Sequence, residues 1–469
     1  LDGPGGSEHL KRAIGFWGSF SMGYADIGAN IYVALGLIAL YASHAAPAAM
    51  GLAAISYIFT GLAYAELASL YPVAGGAQQY ASRAFSPLLG FIAGWGLLLD
   101  YTICILLFSL ISAGYLSYMG VVLGLGPLLG TSPYLSIGGI ILILSLLVLN
   151  LLGITWSSRV NVGFVLLNLI TLSTIVVVGL PLAMLSGGVE RWILELSRFD
   201  IFANLDSFTY AVTLAMVSYI GIESISQAAE ETKNPGAVIP GATKAVIVTV
   251  VIFALTLSFL SVTMVNPEGG FWQVNAHAPM VALVLQFPVI GSPLAVWVAL
   301  MGATINYVSA NSGVIGVSRV AFAMGRQRLL PMPFSRLHRR FRTPHISLLV
   351  FTTAALLIIL ANIGLTGVDL ITLVASLYNF GALAAYTLVN LSLIALRNKD
   401  RALPRPWRAP LTIWVRGYEI PLTGVFGSAT SLALWLLLIY THGVVPRVMA
   451  AIWFGLGLII YIAMRRGRG

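Results

Sequence analysis

Four carboxylates interrupt otherwise apolar stretches of this 469-residue chain: Asp26, Glu66, Asp100 and Glu223. An ionised side chain surrounded by hydrocarbon costs about 3 kcal/mol or more, so each needs a partner, a proton or a charged cargo. Asp26 stands in SMGYADIGANIYVALG, residues 21–36, with Gly23, Gly28 and Asn30 around it. Glu223 follows Gly221 and precedes SISQAAEETKNPGAVIPG, residues 224–241. Glycine weakens helix continuity, and a broken helix is tolerated in a membrane where its freed groups face protein or a cavity. The N–H groups at the start of a half-helix bind a carboxylate, and the carbonyls at the end of one bind a cation. Two breaks of this kind make a site for a small molecule and an ion, with Asp26 attracting a cation or carrying a proton. Capping of the broken helix is the plainer reading of the same aspartate. Asp100 lies deep in GWGLLLDY, residues 94–101, and is a second candidate for ion coupling. Glu66, near Leu70 and Pro72, reads as a gate or as an anchor facing a helix bundle.

Other chemistry finds no support in the residues. The lone Cys104 makes neither an intrachain disulfide nor a cysteine metal site, and the six histidines form no H-x-x-x-H pair. No nucleophile–base–acid arrangement stands out, and no G-x-x-x-x-G-K-[ST] loop is present to hold a nucleotide. Neither an enzyme nor an ATP-driven pump is expected, and no catalytic residue, metal or cofactor beyond a coupling Na+ or H+.

The elements that must position these residues are membrane spans. The chain is 58% hydrophobic and 9% charged, against roughly 25% charged in soluble domains, with mean hydropathy +0.93. Runs able to cross about 30 Å of hydrocarbon lie near 16–41, 47–70, 88–120, 134–152, 160–185, 206–229, 242–264, 291–325, 346–361, 368–396, 419–440 and 446–464. They predict an all-α polytopic membrane protein of about twelve helices. No removable signal peptide is expected, and residues 1–10 read as a flexible start. With the N-terminus inside, all 25 Lys and Arg except Arg191, Arg198 and Arg447 fall on the inner side. That asymmetry follows the positive-inside rule and puts both termini in the cytoplasm. The net charge of +9 is thus topological; a nucleic-acid partner is not expected, whereas membrane lipid is, at the basic loop 326–342. Trp95, Trp156, Trp272, Trp297 and Trp407 are candidate interface anchors. Tyr101, Tyr307 and Tyr378 face either the cavity or a packed helix.

Four stretches also resemble the amino acid–polyamine–organocation superfamily of permeases. YAELASLYPVAGGAQQYASRAF at 64–85 is similar to the end of its second span and the amphipathic loop that follows. GWGLLLDY resembles the start of its third span, SYIGIESISQAAEETKNPGAVIPGA at 218–242 its sixth, and NYVSANSGVIGVSRVAFAMGRQRLLP at 306–331 its eighth. The resemblance implies a LeuT-like fold. Residues 1–15 would be a cytoplasmic segment, 16–185 and 206–396 two inverted five-helix repeats, 397–418 a basic connection, and 419–464 two peripheral spans.

By the same resemblance, Ile27, Gly28, Ala29 and Asn30 line the carboxylate end of a substrate pocket, Asn30 standing where amino-acid carriers keep a glycine. Tyr219, Ile220, Gly221, Ile222 and Glu223 form the second break, with Tyr219 closing the pocket from outside and Tyr101 as a further lining residue. Asn168 occupies the place of a span-5 lysine found in proton-coupled relatives. Ser309, Asn311 and Ser312, with Asp26, Asp100 and Asn168, are the ion-coupling candidates. The implied function is secondary transport of an amino acid across the plasma membrane by alternating access. Alternatives are a potassium-like inorganic cation, a polyamine or another organic cation as cargo, and, from a different class, a non-transporting membrane sensor.

Overall fold

The computed structural model describes residues 12, 14–122, 124, 134–152, 157–265, 271–272, 278–338, 341, 343–363 and 370–466. The expectation for residues 1–10 and the Trp156 anchor lie outside them. In chain order the helices are α1 (Phe16–Ala42), α2 (Ala46–Leu70), α3 (Ala77–Ala84), α4 (Pro87–Val122), α5 (Tyr134–Leu152), α6 (Ser157–Leu185), α7 (Gly188–Arg198) and α8 (Leu205–Ala215). There follow α9 (Glu223–Gln227), α10 (Pro235–Thr263), α11 (Pro279–Val284), α12 (Gly291–Arg326), α13 (His345–Ile363), α14 (Leu370–Lys399), α15 (Leu422–Thr441) and α16 (Val444–Arg466). The protein is an all-α polytopic membrane protein. Among the described residues, 10 stretches are long and apolar enough to cross a membrane. The first, Phe16–Leu70, holds both α1 and α2, and one further apolar helix, α13, is shorter.

α1 is the axis of the bundle. Every residue from Gly23 to Ala39 is buried, and the helix packs against α6, α8, α10 and α12. α4 and α12 run antiparallel, and glycines on α12 take bulky α4 side chains: Gly302 meets Tyr115, Gly313 meets Cys104 and Gly316 meets Tyr101. Close approach through small residues is the usual means of helix association where lipid offers no hydrophobic drive. Trp95 and Trp272 are buried in the protein, Trp95 against Trp453. Trp297 is 40% exposed and donates to Thr171 Oγ1 at 2.9 Å, and Trp407 lies under Lys244.

The connection at 397–418 contains structure that the reading as a basic connection did not anticipate. Thr412–Val415 (β1) and Tyr418–Pro421 (β2) pair antiparallel about Arg416 and Gly417, whose φ of 50° and 83° are those of a tight hairpin turn. This hairpin and its flanking loop enclose Glu66. The Glu66 carboxylate accepts from Arg397 Nε and Nη2, both at 2.6 Å, from Arg405 Nη1 at 2.8 Å and from the Ala409 amide at 2.6 Å. Glu419 on β2 pairs with the same Arg397. Nearby, Tyr71 and Arg83 donate to Asp400 at 2.6 and 2.5 Å. Burial works against the Asp400 charge, but these two donors hold its carboxyl below the ordinary range. Glu66 is therefore an anchor.

Glu66→Gln leaves Arg405 buried without its counter-charge and Arg397 with Glu419 alone, and breaking a buried pair in this way costs about 3–5 kcal/mol. Arg83→Ala, at a half-exposed pair, costs about 0–1 kcal/mol. Thermal denaturation of the two variants in detergent should show a large loss for the first and a small one for the second.

Candidate functional site

One break is present, in the segment 205–227. After α8 the chain tightens into a 3-10 turn, Met216–Tyr219, and leaves helix at Ile220 to Ile222 before α9 begins. Gly221 has φ +127°, a conformation closed to residues with a Cβ. A Cβ there would also stand 2.7 Å from Asp26 Cβ and 2.9 Å from Ile27 Cγ1. The broken backbone thus lies directly on α1. Its freed groups are matched: Ile220 O accepts from Asn30 Nδ2 at 2.7 Å, and the Gly221 N–H reaches Glu223 Oε2 and Tyr386 Oη, each at 3.2 Å.

The break expected in the first span is absent, since α1 is helical throughout Phe16–Ala42. The glycines that suggested it serve packing: Gly28 lies against the Tyr24 ring one turn earlier, and Gly23 receives Ile225. The amides of Ile27, Gly28, Ala29 and Asn30 stay inside the helix. Asn30 instead ties α1 to the other break with its side chain.

Around the kink stand three fully buried carboxylates, Asp26, Asp100 and Glu223. Asp26 Oδ2 accepts from Ser224 Oγ at 2.8 Å, and Oδ1 accepts from Ser309 Oγ at 3.1 Å and from the Cys104 thiol at 3.6 Å. Glu223 Oε2 also accepts from the Tyr386 hydroxyl at 2.6 Å. Asp100 and Glu223 are close enough to interact electrostatically. Neither Asp100 oxygen receives a hydrogen bond from a donor group, nor does Glu223 Oε1. Among the described residues, every ion pair formed by Lys or Arg lies elsewhere. The hydroxyls of Tyr57, Tyr64, Tyr101 and Tyr219 and the carbonyl of Asn30 are likewise buried without a protein partner. Buried polar groups are ordinarily satisfied, so this concentration marks a place built to meet water, an ion or a ligand.

The other candidates are placed as follows. Tyr219 stacks on Tyr57 at 5.1 Å, and Ile222 is buried beside Gly61. Asn168 spends both ends of its amide on α1, accepting from the Tyr24 hydroxyl at 2.9 Å and donating to Tyr32 Oη at 2.8 Å. Asn311 Oδ1 accepts from Asn150 at 2.7 Å, and Ser312 turns back to Val308 O at 3.3 Å. Tyr378 is buried, whereas Tyr307 bonds Ser145 at 2.8 Å. Ser224, Cys104 and Tyr386 belong to the site and were not singled out in the sequence. Ser224 adjoins Glu223, but nothing local marks Tyr386, which is 163 residues away.

Comparison with known proteins agrees with this architecture. Residues 14–464 match the family model described as amino acid permease. The chain is 29% identical to a branched-chain amino acid permease of Bacillus subtilis, over 98% of this chain and 94% of that protein. It is 27% identical to a methylthioribose transporter of the same organism, over 98% and 95%. A low-affinity putrescine importer of Escherichia coli is 27% identical over 89% and 85%.

Gly221→Ala adds both backbone strain and a clash with α1, and should destabilise the protein by about 1–3 kcal/mol. Gly455→Ala, where a Cβ meets nothing within 4 Å, should change little. Thermal inactivation in detergent compares the two.

Proposed function

The chain belongs to the amino acid permease family, a branch of the amino acid–polyamine–organocation superfamily, and from that premise we propose that it carries an amino acid across the plasma membrane as an ion-coupled secondary transporter. It is a transporter and not an enzyme. The observation that carries the finer reading is the trio of buried acids at the kink, with three carboxylate oxygens that receive no donor and, among the described residues, no Lys or Arg paired to them. An uncompensated buried charge is too costly to keep. The site therefore calls for positive charge from its ligands: the substrate ammonium, and a coupling proton or Na+.

In this reading the ammonium sits against Asp26 and Glu223 beside the Ile220–Ile222 kink. Asp100 and Glu223, two carboxyls face to face, hold the coupling ion, because like charges that close do not both persist alone. The substrate carboxylate turns to the unpartnered hydroxyls of Tyr101 and Tyr219, since the α1 amides are engaged in the helix. The basic face is taken as cytoplasmic. There Arg319 on α12 pairs with Glu231 at 2.7 Å, and the backbone of Ile14 bonds Glu231 and Lys233. Rocking of the bundle of spans 1, 2, 6 and 7 against the remaining helices would part the Arg319–Glu231 pair and open the site inward, the alternating access of the superfamily.

A second reading, a polyamine or other organic cation as cargo, is favoured by one specific feature. An unbroken α1 presents no free amides to a carboxylate, while the acids remain.

Uptake of externally added labelled amino acids, putrescine or K+ into proteoliposomes under imposed proton, Na+ and K+ gradients decides between these. The expected result is saturable amino-acid uptake driven by a proton or Na+ gradient, with Asp26→Asn lowering it at least about tenfold, the loss of one charge-assisted contact. Asp100→Asn should keep substrate exchange but lose the response to the gradient. Putrescine uptake without amino-acid uptake would establish the second reading, and K+ flux alone would overturn both.

A further inference from the structure

A cleft of about 490 Å³ opens on the flank of the bundle, between α4, α14, α15 and α16, and none of the three buried acids lines it. That is the size of pockets that take small ligands. Its wall is almost wholly apolar, running from Leu89 and Ile92 on α4 past Leu388 and Leu432 to Phe454 on α16. The polar side chains within the wall are occupied by neighbours. Thr387 Oγ1 lies 2.8 Å from Leu383 O and 3.1 Å from Ser431 Oγ, and Trp435 Nε1 donates to Phe380 O at 3.3 Å. The exception is Arg447, at the end of the cleft away from the basic connection. Its Nε donates to Gly443 O at 3.2 Å. Among the described residues no carboxylate pairs with its guanidinium.

The cleft is held open by a specific contact. Trp95 on α4 and Trp453 on α16 stack at 4.9 Å, and each indole donates to the other residue's carbonyl, at 2.8 and 3.1 Å. Gly457 lies directly under the Trp95 ring, and Phe91 meets Tyr461 at 5.2 Å one step along the same helices. α16 is thereby pinned to α4 beside the cleft.

An apolar slot in a membrane-facing wall, with a single free guanidinium at its mouth, is complementary to one kind of molecule. We infer that this cleft holds an acyl chain of an anionic phospholipid whose phosphate is bound by Arg447. A guanidinium binds phosphate through paired N–H donors, and the slot offers the remainder of its occupant only dispersion contacts and exclusion from other surfaces. The occupant fills the gap that the tryptophan clamp creates, and so completes the packing of the two outer helices.

Native mass spectrometry of the full chain in mild detergent, with added phosphatidylglycerol or with a diacylglycerol of the same chain length, tests the assignment. The expected result is one retained phosphatidylglycerol per chain. Retention should fall about tenfold in Arg447→Gln, the loss of one charge-assisted contact. It should recover in Arg447→Lys, and be lost when Ala451→Trp fills the slot. Diacylglycerol, lacking the phosphate, should bind the wild type and Arg447→Gln alike and weakly. Gel filtration of each variant checks that the fold is kept. Equal phosphatidylglycerol retention in wild type and Arg447→Gln would overturn the inference. Diacylglycerol retained as well as phosphatidylglycerol, or a dimer that Ala451→Trp abolishes, would overturn it too.

Discussion

Three carboxylates buried together in a membrane-spanning bundle, with no Lys or Arg among the described residues paired to them, set the terms for the rest of the protein. Asp26, Asp100 and Glu223 come from α1, α4 and α9, and burying even one charge alone is prohibitive. The surrounding structure answers part of the demand. Ser224, Ser309 and Cys104 donate to Asp26, while Tyr386 and the Gly221 amide donate to Glu223. What is left over faces inward between Asp100 and Glu223. A site short of positive charge takes its specificity from that shortage. In the proposed function, the missing charge is supplied by what is carried or coupled.

Glu66 shows the opposite solution with the same functional group. Its carboxylate is fully buried too, yet two arginines and a backbone amide satisfy it. Breaking such a pair is costly, while the pair itself adds little over a well-packed apolar core. Its value is positional, because it ties the end of α2 to α14 and to the hairpin. The protein thus closes its basic end with fully compensated charges and keeps its centre uncompensated. That division separates the part that holds shape from the part that binds.

The spans and the acids were legible in the sequence because isolated charges stand out in apolar runs, and Gly221 was legible because a glycine preceded one of them. The α1 helix shows the limit of that signal. Gly23 and Gly28 look like a break, but whether glycine frees the backbone or admits a neighbouring side chain depends on what packs there, here Ile225 and Tyr24. Asn30 changes its meaning for the same reason, from a pocket residue to the clamp on Ile220. The contacts of Glu66 with Arg397 and of Glu223 with Tyr386 join residues 331 and 163 positions apart, a distance at which local pattern carries no information. The hairpin is different, for the β-branched and aromatic residues of TIWV and YEI flank an Arg-Gly turn, a composition that favours paired strands.

Ligand binding to the purified protein, comparing an amino acid that it carries with the N-acetylated form and the decarboxylated amine of the same molecule, tests most directly whether the acid cluster recognises positive charge. The account predicts that acetylation, which removes the ammonium, abolishes binding, while the amine still competes for the site. N-acetyl compound binding as tightly as the parent would contradict it, and would move recognition away from Asp26, Asp100 and Glu223.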